Sequence, residues 1–268
     1  MPARSRLDTL LVERNFFETR SRARAAILAG EVSIDGRLSD KPGVQVPSDA
    51  VIVVAARARF VSRGGDKLDH ALTTLDIDVT GEDVCDLGSS TGGFVDCLLR
   101  AGARRVVAVD VGYGLLDWTL RNDPRVAVLE RTNARNLSRD CLPFAPSFVT
   151  ADVSFISLTV ALGAVLECAR PGFRGLVLVK PQFEAGRQRV GKGGVVRDPL
   201  VHREVLTKVA GWLDQRGVAA VGMCDSGHPG PKGNVEYFIA FCDAREPLAA
   251  TRVAIDETVL RVVETAHG

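Results

Sequence analysis

Hydrophobic positions follow two different rhythms along the chain. Leu7, Leu10 and Leu11 recur at the spacing of one helix face. After a polar break at Asn15–Thr19, a second helix is expected over about Ser21–Ala29, with Thr19 placed to cap it and Gly30 to end it. Val32-Ser33-Ile34 alternates as a short strand closed by an Asp35-Gly36 turn, and a loop over Lys41–Asp49 leads to the β-branched run Val51–Val54. From residue 84 the rhythm changes. Apolar runs at Val84–Leu87, Val106–Asp110, Val126–Leu129, Phe148–Val153, Leu176–Val179, Val218–Met223 and Val235–Phe241 are separated mostly by helical segments. Runs without polar alternation belong to strands buried on both faces, and strands separated by helices imply a parallel sheet. Only the last two runs are joined by a Gly- and Pro-rich loop (Gly227–Gly233), so the final strand is expected to be antiparallel.

The expected fold is α/β: a Rossmann-like, seven-stranded, mostly parallel sheet with an antiparallel last strand, preceded by a small α+β module. The expected boundaries are 1–56 for the module, 57–66 for a basic connector and 67–268 for the large domain, which opens with a helix over Lys67–Leu75. The 268 residues are 46% hydrophobic and 25% charged, with 34 basic against 33 acidic side chains, which excludes disorder as the main state. No apolar stretch approaches the roughly 20 residues of a membrane helix. Met1–Asp8 is Arg-rich with no apolar segment behind it, so no secretory signal is expected. Six scattered cysteines without a CxxC pair suggest small buried hydrophobes in a reducing cytoplasm, and four scattered histidines offer no metal-ligand set. Up to residue 60 the chain carries ten basic and seven acidic side chains, against 24 and 26 beyond it. The small module is the more basic part.

Two regions carry candidate chemistry. Val84 to Phe94 reads as a strand, a Gly-rich turn and a helix start, DLGSSTGGF. Gly88 allows a tight turn, Gly92 and Gly93 allow close backbone approach, and Ser90 and Thr91 can cap the helix. Asp110, 22 residues after Gly88, ends the next strand, where a carboxylate can accept two ribose hydroxyls. Nicotinamide cofactors and S-adenosylmethionine compete for such a site. Ser90 replaces the central glycine that a pyrophosphate would need, which favours S-adenosylmethionine. The second region is the carboxyl edge of the sheet. Asp152 and Lys180 end strands, Glu236 begins the antiparallel one, and Lys67 enters from the connector, so two lysines and two carboxylates converge there. Methylation of a ribose 2′-hydroxyl needs an in-line oxygen and a base poised near neutrality. A lysine qualifies when burial and a second cation depress its basicity. Asp66, beside Lys67, opposes that tuning.

The N-terminal pattern, RLDTLLVERN followed by TRSRARAAILAGEVSIDGR, resembles the S4 RNA-binding domain. Lys67, Asp152, Lys180 and Glu236 match in order the K-D-K-E tetrad of FtsJ-like RNA 2′-O-methyltransferases. With SRGGDKL, DLGSSTGGF, DVGYGLLDWTLRNDPRV, ERTNAR, ADVSFISL, VKPQFEAG and GPKGNVEYF, nearly the whole chain looks like the TlyA (hemolysin A-like) family. The resemblance implies a class I methyltransferase fold and 2′-O-methylation of cytidine in 16S and/or 23S ribosomal RNA. It implies Lys180 as base, partnered by Lys67, Asp152 and Glu236. Asp86, Gly88, Ser90, Thr91, Gly92, Gly93, Phe94, Asp110, Asn133 and Asp152 would form the cofactor cradle. RNA contacts are expected from Arg4, Arg6, Arg20 and Lys41 in the module and from Arg131, Arg135, Phe155 and Arg187 in the large domain, whereas Tyr113 and Trp118 are expected around the cofactor or in the core. Phe60 stands where some members have Trp. The competing reading is a non-catalytic RNA-binding or ribosome-assembly factor that keeps the fold; a cytolysin lacks the apolar spans.

Overall fold

A computed structural model describes residues 4–28, 32–39, 41–54, 59–247, 249 and 253–267. The chain divides into two compact units, Met1–Arg59 and Phe60–Gly268. In the first, β1 (Arg4–Arg6) pairs antiparallel with β4 (Gln45–Pro47), and β2 (Val32–Ile34), β3 (Arg37–Leu38) and β5 (Ile52–Val54) form a second antiparallel sheet in the order β3-β2-β5. Helices α1 (Leu7–Glu13) and α2 (Arg20–Leu28) bury Leu7, Leu10, Leu11, Ala23 and Ile27 against Val32, Val46 and Ile52. Thr19 caps α2: its hydroxyl accepts from Arg22 N at 3.3 Å. Asp35 and Gly36 both have positive φ, 49° and 78°, the geometry that lets a two-residue turn follow the strand twist. The helix stop expected at Gly30 and the first two connector residues, 57 and 58, lie outside the described residues.

The second unit begins earlier than the sequence suggests. Helix α3 spans Arg63–Thr74, so Arg63 to Asp66 are its first turn rather than part of a linker. Gly64 and Gly65 read as loop residues, yet they serve packing: a Cβ at Gly65 would stand 2.3 Å from the Phe60 ring. The seven strands β6 (Asp83–Leu87), β7 (Arg105–Val109), β8 (Val126–Leu129), β9 (Phe148–Ala151), β10 (Arg174–Val179), β11 (Val218–Asp225) and β12 (Tyr237–Asp243) lie in the order β11-β12-β10-β9-β6-β7-β8. Only β12 runs against the direction of the other six strands. Between and after the strands lie α4 (Gly93–Arg100), α5 (Trp118–Arg121), α6 (Leu158–Ala161), α7 (Gly163–Cys168), α8 (Pro181–Glu184), α9 (Pro199–Asp214) and α10 (Ile255–His267).

The unbroken apolar runs serve two cores. Leu176 and Leu178 of β10 and Phe238 of β12 face Leu68, Phe94 and Leu98 of α3 and α4. Val177, Val179, Ile239 and Phe241 face Leu206, Val209, Val259 and Val263 of α9 and α10. Because side chains alternate across a strand, every position is covered and none needs to be polar until the strand leaves the sheet. Apart from the hydrogen-bonded pair Asp86 and Thr150 within β6 and β9, polar chemistry is thereby left to the strand ends.

Candidate active site

The carboxyl edge carries four charged side chains in two pairs. Asp152 follows β9, and its backbone N–H still bonds Leu87 O of β6 at 2.9 Å. Lys180 follows β10 and precedes Pro181, whose fixed φ suits the first position of α8. Val179 pairs with Tyr237, so one step beyond the register sets Lys180 beside Glu236 on the neighbouring strand end. Lys67 comes from the second turn of α3 and reaches Glu236, with Nζ 2.6 Å from Oε2. Gln182 Nε2 donates to the other oxygen, Oε1, at 3.1 Å. Lys180 forms an ion pair with Asp152 and donates to Ser154 Oγ at 3.2 Å. Both lysines and Glu236 are largely or fully buried, and Asp152 is a quarter exposed. A cation and an anion share each pair, which limits the penalty of burying the charges.

Beside this edge lies a cavity of about 390 Å³, walled by Gly88, Ser90, Asp110, Asn133, Asp152 and Ser154 together with apolar Val109, Val111, Leu115 and Ile156. Gly88 has φ 79°, and a Cβ there would stand 2.4 Å from Asp152 O, so only glycine lets the β6 turn lie against the end of β9. Asp110 spans two loops: Oδ2 accepts from Ser90 N at 2.8 Å and Oδ1 from Gly112 N at 2.6 Å. Each oxygen keeps a further lone pair for a hydroxyl. Asn133 lines the wall while its Oδ1 caps a short 3-10 turn through Arg135 N at 3.1 Å. Asp86 is fully buried; Thr150 Oγ1 donates to its Oδ1 at 2.7 Å, and its Oδ2 has no partner among the described residues. Burial, helped by the charges of Asp152 and Asp110, pushes the Asp86 carboxyl up to about 7. A cavity with an apolar waist, a carboxylate for vicinal hydroxyls and an unmet acid nearby fits a nucleoside bearing an amino-acid group.

Some expected positions fall elsewhere. Phe94 is buried and stacks on Phe238 with ring centroids 6.0 Å apart, because the helix turn carries it inward. Gly92 supplies the left-handed N-cap of α4 against Leu116 and Leu120, and Gly93 packs on Ser62 and Gly65; neither they nor Thr91 wall the cavity. Tyr113 and Trp118, expected to be covered, are 68% and 75% exposed. Val111, Leu115, Ser154 and Gln182 were not anticipated; the first two sit in the loop after Asp110, where an apolar pair beside an acidic strand end is the available signal.

The residues expected to meet RNA are mostly open. Phe155 is 92% exposed at φ 63°, its ring centroid 5.0 Å from that of Phe183 at the cavity edge. Arg131, also left-handed, holds its guanidinium 4.3 Å from the Tyr113 centroid; Arg135 and Arg187 are exposed. In the first unit Arg4 donates to Gln45 O at 2.9 Å, Arg6 and Arg20 share Asp8, and Lys41 is exposed.

Comparison with known proteins agrees with both units. The S4 domain model matches residues 5–52, and the FtsJ-like methyltransferase model matches residues 60–242. The chain is 46% identical over 241 residues (89% of it, 90% of the relative) to the Mycobacterium tuberculosis protein named 16S/23S rRNA (cytidine-2′-O)-methyltransferase TlyA. It is 44% identical over 266 residues (98% and 94%) to the Bacillus subtilis protein YqxC, which bears the name of an rRNA methyltransferase. A solved Streptococcus thermophilus chain described as a hemolysin superposes with a TM-score of 0.76 at 36% identity, covering 100% of this chain and 97% of that one. No described helix is long and apolar enough to cross a membrane. The chain is a methyltransferase of the FtsJ-like family, carrying an N-terminal S4 domain.

Proposed function

We propose that the enzyme uses S-adenosylmethionine to methylate the ribose 2′-oxygen of cytidine in ribosomal RNA, on 16S and/or 23S RNA, in the cytoplasm. The observation that carries this reading is the alternation Lys67–Glu236 and Lys180–Asp152 along one sheet edge, with Asp152 also walling the cavity. The relatives' printed names supply the substrate class.

Asp110 would hold the ribose hydroxyls of the cofactor, Gly88, Ser90 and Asn133 would line its path, and Asp86 would sit behind its amino-acid end. Once bound, the cofactor supplies a methyl group on a sulfonium, a strong electrophile that needs an in-line oxygen. Lys180 is placed to take the hydroxyl proton. Its amine must be neutral to do so, and Asp152, with which it pairs in this structure, would stabilise the resulting ammonium after transfer. Lys67 and Gln182 fix both oxygens of Glu236, so the second carboxylate neither turns toward the substrate nor stays uncompensated. The two ion pairs are mostly out of bulk water, which strengthens these interactions. Phe155, on a strained left-handed backbone at the cavity edge, offers an open ring face to an unstacked nucleotide.

Tritiated S-adenosylmethionine with purified 30S, 50S and 70S particles tests the proposal. Label should enter rRNA, and nuclease digestion with mass spectrometry should recover 2′-O-methylcytidine. RNA binding with no transfer to any particle would favour the assembly-factor reading.

A further inference from the structure

Asp8 is the second residue of α1 and only 3% exposed, although it lies among cations. Its carboxylate accepts from Arg6 Nε on Oδ1 at 3.0 Å, from Arg6 Nη2 on Oδ2 at 2.9 Å and from Arg20 Nη2 on Oδ2 at 3.0 Å. The hydrogen bond from Arg6, then the Arg20 guanidinium, holds this carboxyl well below the usual carboxylate range, so it is charged throughout the working pH range. The arginines are closed at the acid and open beyond it, with side chains 47% and 58% exposed. A guanidinium has five N–H donors; Arg6 spends two on Asp8 and Arg20 one.

The same stretch clamps the loop that carries Lys41. Leu7 N bonds Val44 O at 2.9 Å, Asp8 N bonds Pro42 O at 3.0 Å, and Val44 N bonds Lys41 O at 3.1 Å. Arg6 lies along that loop so closely that a Cβ at Gly43 would stand 3.1 Å from Nη1. One buried acid thus gathers basic side chains from a strand end and a helix start, while its own backbone N–H holds the loop that carries Lys41.

We propose that Asp8 is a positioning residue for RNA: it fixes the planes of Arg6 and Arg20 so that their free donors meet backbone phosphates. The proposal rests on the RNA reading of the N-terminal unit. On charge alone Asp8 is a defect, since an anion in a polyanion-binding face weakens attraction. Its contribution is geometric. A guanidinium already held in plane presents paired donors to phosphate oxygens and loses little further side-chain freedom on binding.

These two effects have opposite signs in Asp8→Asn, which adds one positive charge to the face while releasing both arginines. Filter binding of the full-length protein to purified 30S and 50S subunits over a KCl series reads the balance. Charge alone requires tighter binding and a steeper log–log salt slope, by about one. Positioning requires affinity about five- to ten-fold weaker with no steeper slope. Equal or tighter binding by Asp8→Asn overturns the proposal. Gly43→Ala crowds Arg6 without changing charge, and about three-fold weaker binding is expected. Should Asp8→Asn fail to melt cooperatively by circular dichroism, unchanged binding by Gly43→Ala overturns the proposal in its place. The double variant Arg6→Ala/Arg20→Ala isolates the reading underneath: if it binds as well as wild type, the N-terminal unit does not hold the RNA, and that reading fails first.

Discussion

Both units gather acids and bases, but they arrange them in opposite ways. In the N-terminal unit one buried carboxylate serves two arginines that stay half in water, so a surplus of cationic donors faces outward. At the sheet edge each lysine has a carboxylate of its own, and the pairs are mostly out of water. Half-exposed cations act at long range, are screened by salt and tolerate small displacements. Buried pairs act at contact distance, and removing one partner leaves an uncompensated charge at a cost of about 3–5 kcal/mol. The contrast suggests that the first unit sets how tightly RNA is held and the second how fast it reacts. Substitutions in one unit should therefore move binding, and in the other the chemical step.

The largest effect should come from Lys180. Lys180→Ala should lower the single-turnover rate of methyl transfer by about a thousand-fold, within the usual range for loss of a general base, with RNA and cofactor affinity nearly unchanged. Lys180→Arg should be equally slow, since arginine does not deprotonate. A fall in RNA affinity that accounts for the lost rate would break the division of labour.

Gly88→Val comes next. Its side chain would press on Asp152 O from a backbone at φ 79°, so cofactor binding by calorimetry should fall by at least about ten-fold and the sheet unit should lose about 2–4 kcal/mol of stability. RNA affinity of the folded protein should not follow.

Asp86 gives a pH signature specific to the sheet unit. Its folded-state value, about 7, lies above the ordinary carboxylate value, so between roughly pH 4 and 7 the folded form binds the proton that the unfolded chain has released. Stability from this group therefore falls as pH rises through that window, by a few kcal/mol, and levels above it. Asp86→Asn removes the slope, and thermal melts from pH 4 to 8 should show the variant gaining on wild type as pH rises. Parallel melting curves would place Asp86 in contact with a donor that this structure does not contain.

The sheet was legible because its strands, apart from the half-buried edge strand β8, are mostly buried on both faces: the run expected at Leu176–Val179 needed only Arg174 and Gly175 added, and Lys180 at its end followed. Asp110 and Asp152 lie one step past their strands rather than within them, a difference that leaves them on the same edge. The short strand Arg4–Arg6 was not legible, because its three polar residues show no alternation against solvent, whereas the equally short Val32–Ile34 and Ile52–Val54 carry apolar positions that mark them. The start of α3 was hidden by Gly64 and Gly65, which look like loop signals until Phe94 is seen packed against the first and Phe60 against the second. Phe94 follows the Gly-rich turn, and the sequence does not tell which side of the first helical turn meets the ligand; the fold turns it to Phe238. Asp8 carries no signal, since its partners stand two residues before it and twelve after it.

The smallest expected effect is also the closest test of the contrast. Gln182 donates to Glu236 Oε1, while its own Oε1 is buried with no partner among the described residues. Gln182→Leu deletes one donor to Glu236 and one unmet acceptor together, so the stability changes should offset within about 1 kcal/mol. Glu236, still held by Lys67 on Oε2, gains freedom to turn. A group that acts through Glu236 should lower kcat about five-fold and leave KM for RNA alone. Asp8→Asn should do the reverse, raising KM with kcat intact. If Gln182→Leu instead raises KM at constant kcat, its amide touches the RNA directly, and the sheet edge shares in binding as well as chemistry.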